Sequence, residues 1–80
     1  MNLQLLKGTY SKQESLNLLT KLFDVKIKFQ EDKIKSSDNE EDIKMRESRI
    51  KELQKNLYEA RIHIEKYDSP YISLHSEISV

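Results

Sequence analysis

Between Ile43 and Tyr67 apolar side chains return every seven residues. Ile43, Ile50, Leu57 and Ile64 hold one position, and Arg46, Leu53, Ala60 and Tyr67 hold the position three further on. A repeat of seven with a three–four split is the seam of a helix lying lengthwise on another helix. The seam predicts a helix over 39–67, with Ile43, Ile50, Leu53, Leu57, Ala60, Ile64 and Tyr67 turned to a neighbour in the same chain. Ser69-Pro70 ends it, because proline has no N–H to donate and forces the residue before it towards extended backbone.

Upstream, two apolar stripes share one segment. Leu16, Leu19, Phe23, Ile27 and Ile34 follow one side at helical spacing, and Leu18, Leu22, Val25 and Phe29 follow another. Their centres are roughly 130° apart on a helical wheel. They predict a helix over 12–35 that needs two neighbours. Ser11-Lys12-Gln13-Glu14 has the form of a capping box that opens it. Ser36-Ser37-Asp38-Asn39 reads as the connection, with Ser37 and Glu40, or Asp38 and Glu41, as the next cap. So short a link makes the two helices antiparallel neighbours.

At both ends the period changes to two. Residues 2–7 predict a strand with Leu3 and Leu5 on one face and Gln4 and Leu6 on the other, followed by a turn at Lys7-Gly8-Thr9-Tyr10. Residues 71–80 predict a second strand, in which Ile72, Leu74, Ile78 and Val80 share a face that Ser76 interrupts. The expected class is mainly α, a single β-α-α-β domain over 1–80. An antiparallel two-helix hairpin, resembling coiled-coil hairpins in architecture, carries a short strand at each terminus. A two-stranded ribbon has open edges that invite a second copy.

Composition narrows the reading. Of the 80 residues, 14 are Lys or Arg and 14 are Asp or Glu, so no global field draws in nucleic acid or an anionic membrane. The charges are unevenly shared. Residues 1–36 carry seven lysines against four acids, net +3, and 37–80 carry seven bases against ten acids, net −3, which favours the two helices pairing with each other. Cysteine is absent, which removes disulfides and thiolate chemistry and fits a cytoplasmic location. No apolar run approaches the roughly 18 residues of a membrane span, and the opening residues are too polar for a secretory signal. Ordering each residue costs about 1.5 kcal/mol against about 25 cal/mol per Å² of apolar burial, so nearly every apolar side chain must be buried. A lone hairpin cannot do this. The expected remedy is a homodimer formed through Leu18, Leu22, Val25, Phe29, Tyr58 and Ile62, a four-helix assembly whose terminal strands join into one sheet.

Candidate chemistry is thin. His63 follows Glu59 by one helical turn, but a bundle metal site needs further ligands from facing helices, and a surface ion pair is the plainer reading. His75 falls on the polar face of the last strand. The acidic run Asp38–Asp42 lacks the glycine and distal glutamate of a calcium loop, and helix capping accounts for it. Arg46 occupies a seam position, either as a register lock or, as favoured, where packing gives way near the loop. Lys21, Lys26, Lys28, Lys33 and Lys35 support an alternative function, a small nucleic-acid-binding regulator, but they are interleaved with apolar stripes and no recognition motif accompanies them. No nucleophile elbow, phosphate-cradling loop or paired carboxylates occur. The sequence therefore predicts no catalytic, cofactor or metal residue. It points to a small non-enzymatic interaction or scaffold protein whose partner is itself or another protein.

Overall fold

The computed structural model describes residues 1–80 and has the order β1 (Asn2–Ser11), α1 (Lys12–Lys35), α2 (Glu40–Glu65), β2 (Tyr71–Ser79). The β-α-α-β arrangement expected from the sequence is what forms, and the two strands pair antiparallel in a single ribbon.

Each helix begins where a side chain can satisfy its free N–H groups. Ser11 Oγ accepts from the Glu14 N–H at 3.1 Å, and Glu14 Oε1 accepts from the Ser11 N–H at 2.9 Å, completing the capping box. The second cap falls on Asn39, not on Ser37 or Asp38. Its Oδ1 accepts from the Asp42 N–H at 3.1 Å. Asparagine ranks among the best caps, and from this position it places Glu40, Glu41 and Asp42 in the first turn, against the positive end of the helix dipole. α2 stops at Glu65, two residues short of the expected end, with Lys66 as its cap.

Both cap regions hold a carboxylate below its usual range. Hydrogen bonds from Ser11, its backbone N–H first and then its hydroxyl, lower Glu14. The Ser37 hydroxyl and then Arg46 lower Asp42. A depressed folded value stabilises the fold above the ordinary carboxylate pKa of about 4 and loses that contribution as pH falls through the folded value. Helicity followed by circular dichroism is therefore expected to decline on acidification through that window. The E14Q/D42N double variant should show a flatter decline over the same range.

β1 is longer than expected. The turn placed at Lys7-Gly8-Thr9-Tyr10 does not form, and Gly8 pairs with Leu74 inside the ladder with no positive φ. Tyr10 lies alongside, its hydroxyl 3.5 Å from where a Cβ would stand, which is an ordinary contact distance. Gly8 is a residue of the strand here, not a point of chain reversal.

The phase of β1 also differs. A bulge between Gln4 and Leu6 absorbs one residue, and a slip of one residue moves every later side chain to the other face. Leu3, opposite Ile78, and Leu6, opposite Ser76, therefore share the inner side with Leu74 and Ile72. The expected pairing of Gln4 with Leu6 is overturned, while Leu5, at the bulge, stays on the side of Leu3. Leu5 and Leu6, neighbours in sequence, line the same cleft.

The ribbon folds back along α1. Leu5, Leu6 and Leu74 approach Leu19, Leu22 and Phe23. Leu22 of the second α1 stripe thus faces the chain's own strands, and Leu18 and Leu22 are both half-buried. Further along α1 the cover ends, and Val25 and Phe29 are 69% and 55% exposed. The hydrophobic interior is small: Leu53, Ile64 and Ile72 alone among apolar residues are buried. Ser15 is fully buried as well, and its hydroxyl has no partner. Removing an unsatisfied buried polar group relieves its desolvation cost. Ser15→Ala is expected to raise stability by about 1 kcal/mol, read as a later urea midpoint.

Candidate protein interface

The two helices meet along the seam that the heptads mark. Leu53 and Ile64 are buried, and Ile43, Ile50, Leu57 and Ala60 are half-buried. Tyr67 lies beyond the end of α2 and is 45% exposed, its ring 6.2 Å from that of His63. Arg46 does more than mark the end of packing. Its Nη1 donates to Gln30 Oε1 at 2.9 Å across the hairpin while its Nε donates to Asp42 at 3.1 Å. The guanidinium ties the loop-proximal ends of α1 and α2 at one register, a bidentate use that a lysine does not reproduce.

The six side chains expected at a dimer contact fall into separate places. Val25 and Phe29 line a groove with Arg49, Glu52 and Leu53. Tyr58 and Ile62 line another with Leu57 and Arg61. Leu22 and Val25 form a wall of the cleft under the ribbon, about 420 Å³ in volume and mostly apolar. Leu18 belongs to none of these. No single groove holds the α1 pair together with the α2 pair. Sequence spacing reveals which face of a helix is apolar but not which side of the hairpin that face ends on, since this depends on the rotation of each helix about its axis.

Exposed apolar surface extends onto the ribbon. Met1, Leu3, Leu5, Ile78 and Val80 are all exposed at the end remote from the helices' junction with the strands. These residues sit on or beside the inner face, so sequence alternation alone would have counted them as core.

The remaining candidate chemistry is dispersed. Glu59 and His63 are exposed on α2, and no three His, Asp or Glu side chains are arranged to hold a metal ion. Lys21, Lys26, Lys28, Lys33 and Lys35 are exposed, with Asp24, Glu31 and Asp32 within a turn of Lys21, Lys28 and Lys35. Lys26 and Lys33 lie over the rings of Phe23 and Phe29, at 5.8 and 5.6 Å from their centres. Their stems shield part of the apolar stripe while the ammonium groups stay in water. No helix is long and apolar enough to cross a membrane. Protein-family models, curated proteins and solved structures yield no match to this chain.

Proposed function

We propose that this chain is a non-enzymatic interaction or scaffold module that acts as a homodimer. The observation that carries the reading is surface area. The chain exposes 6387 Å², whereas a compact monomer of its mass exposes roughly 5,000 Å². The excess, roughly 1,300 Å², is larger than the roughly 800 Å² that each partner gives up in a standard protein interface. Much of it is apolar: Val25, Phe29 and Tyr58 are each more than half exposed. Scattered apolar residues are ordinary on a surface, but large contiguous patches mark association sites.

The two helix grooves that carry the exposed apolar residues suit docking better than catalysis: both are open, and neither is lined by a serine or a histidine. Light scattering over a concentration series tests the proposal. A mass of two chains that persists to low micromolar concentration is expected. A well-folded monomer at high micromolar concentration would overturn it.

A further inference from the structure

The free edge of β2 carries more information than the apolar patches, because its backbone orientation can be worked out residue by residue. Met1 and Val80 exchange both of their hydrogen bonds. The Met1 amine donates to the Val80 carbonyl at 2.6 Å, and the Val80 N–H donates to the Met1 carbonyl at 2.7 Å. In an antiparallel ladder such exchanging pairs alternate with pairs that do not bond. Ile72, Leu74, Ser76, Ile78 and Val80 therefore turn their backbone groups towards β1. Ser73, His75, Glu77 and Ser79 turn theirs outward. The bulge lies on β1 and leaves this alternation in β2 intact.

The base of the ribbon agrees. The Pro70 carbonyl accepts from the Lys12 N–H on the inner side, while the outward Tyr71 N–H is taken by the Ser69 hydroxyl. Beyond Tyr71 no outward donor or acceptor of β2 finds a partner in the chain. The other edge is protected: β1 is interrupted by its bulge and carries Lys7 beside Gly8. Bulges and lysines are the usual means of discouraging edge pairing. β2 has neither.

Resting on the homodimer reading, we infer that the second copy joins through β2, edge to edge and antiparallel, about a two-fold axis at Ser76. This register is chosen by its pairs. It sets His75 opposite Glu77 and Ser73 opposite Ser79 of the second copy, all four of them residues whose backbone faces outward. Each is then a pair that exchanges hydrogen bonds. On the inner face Leu74 meets Ile78 and Ile72 meets Val80, so apolar faces apolar on either side of the axis. An imidazole lies beside a carboxylate on the outer face, twice by symmetry.

Moving the axis to His75 instead sets Leu74 against Ser76 and His75 against itself. The chosen register also accounts for the serine that breaks the apolar face of β2. At the axis Ser76 meets its own copy in a non-bonded pair, where the chains approach most closely and a branched side chain would crowd its twin. Ile78 and Val80, 42% and 82% exposed in the single chain, acquire apolar neighbours. The assembly is a four-stranded sheet in the order β1-β2-β2-β1, with both helical hairpins on one face.

The chain has no cysteine, so a single introduced thiol reports on one contact alone. A non-bonded antiparallel pair has Cα atoms about 4.5 Å apart, within the range a disulfide spans. Under mild oxidation S76C is expected to convert almost wholly to a covalent dimer on a non-reducing gel. S73C, set far from its own copy in this register, should remain uncrosslinked. Glu77→Pro removes an outward N–H and leaves the β1–β2 ladder its donors. It should keep the circular dichroism of the parent and halve its mass in solution.

A dimer by light scattering in which S76C fails to crosslink would overturn the edge contact and leave the homodimer reading standing. A folded monomer would overturn both. Preferential crosslinking of S73C would place the axis elsewhere and overturn the register. The cysteine result decides independently of whether the proline variant folds.

Discussion

Ile64→Ala is expected to unfold most of the protein at room temperature. Only three apolar side chains are buried in the chain, and Ile64, at 3% exposure, is the most deeply placed of them. It sits on the last full turns of α2, lining the space between Ala60, Leu19 and the β2 residues Ile72 and Leu74. Truncating a buried isoleucine to alanine costs about 2–5 kcal/mol, and a small domain has only about 5–15 kcal/mol in all. A chain with so small a core lies at the low end of that range. Loss of the cooperative urea transition, read by circular dichroism at 222 nm, is the expected result. Ile43→Ala is the control. That residue is half-buried near the loop, and the same truncation there should cost markedly less. Equal losses at the two positions would mean that the interior is spread evenly along the hairpin.

The second large effect concerns association. Val25→Ser with Phe29→Ser is expected to weaken the homodimer at least about 100-fold, since each side chain contributes about 1.5–3 kcal/mol on full burial and every 1.4 kcal/mol is tenfold in affinity. In the single chain the two are mostly exposed, so the change removes almost nothing from the fold of one copy. Helicity should persist at concentrations where the mass has fallen to that of one chain. Sedimentation velocity across a dilution series reads the shift directly. An unchanged dissociation constant would place the contact entirely on the ribbon edge and the α2 groove of Tyr58 and Ile62.

Much of the fold was legible before any coordinates, and the reasons are local. The capping box at Ser11 and Glu14 uses side chains three residues apart, and the seam from Ile43 to Ile64 repeats often enough to reveal its period. Ser69-Pro70 admits little but a break. What could not be read depends on partners distant in sequence. The course of β1 through Gly8 follows from pairing with Leu74, and the bulge at Leu5 shows only against Ser76. Gly8 has the local signature of a turn, and only its long-range partner makes it a strand residue.

The candidate interface was legible only in part for a related reason. Periodicity identified Val25, Phe29, Tyr58 and Ile62 as apolar positions off the seam, and all but Ile62 are mostly exposed. It offered no means of seeing that the strands fold back over Leu22, or that Val25 borders the same cleft and yet stays mostly exposed. Nor could it show that the α1 and α2 pairs line different grooves.

The ladder that joins Asn2 to Ser79 has a kinetic consequence. Its strands lie at opposite ends of the sequence, so pairing them directly from the unfolded chain would mean closing almost the longest loop available, with the entropy that entails. Helices form within about a microsecond, and the antiparallel hairpin then brings both strands to one end before they pair. Folding should therefore run from the connection outward, with the ribbon last. Lengthening the segment between Lys35 and Glu40 with flexible residues would then delay the sheet more than the helices. Until the ribbon closes, each strand has two open edges where the folded chain leaves one, and high concentration during refolding favours pairing between chains over pairing within them.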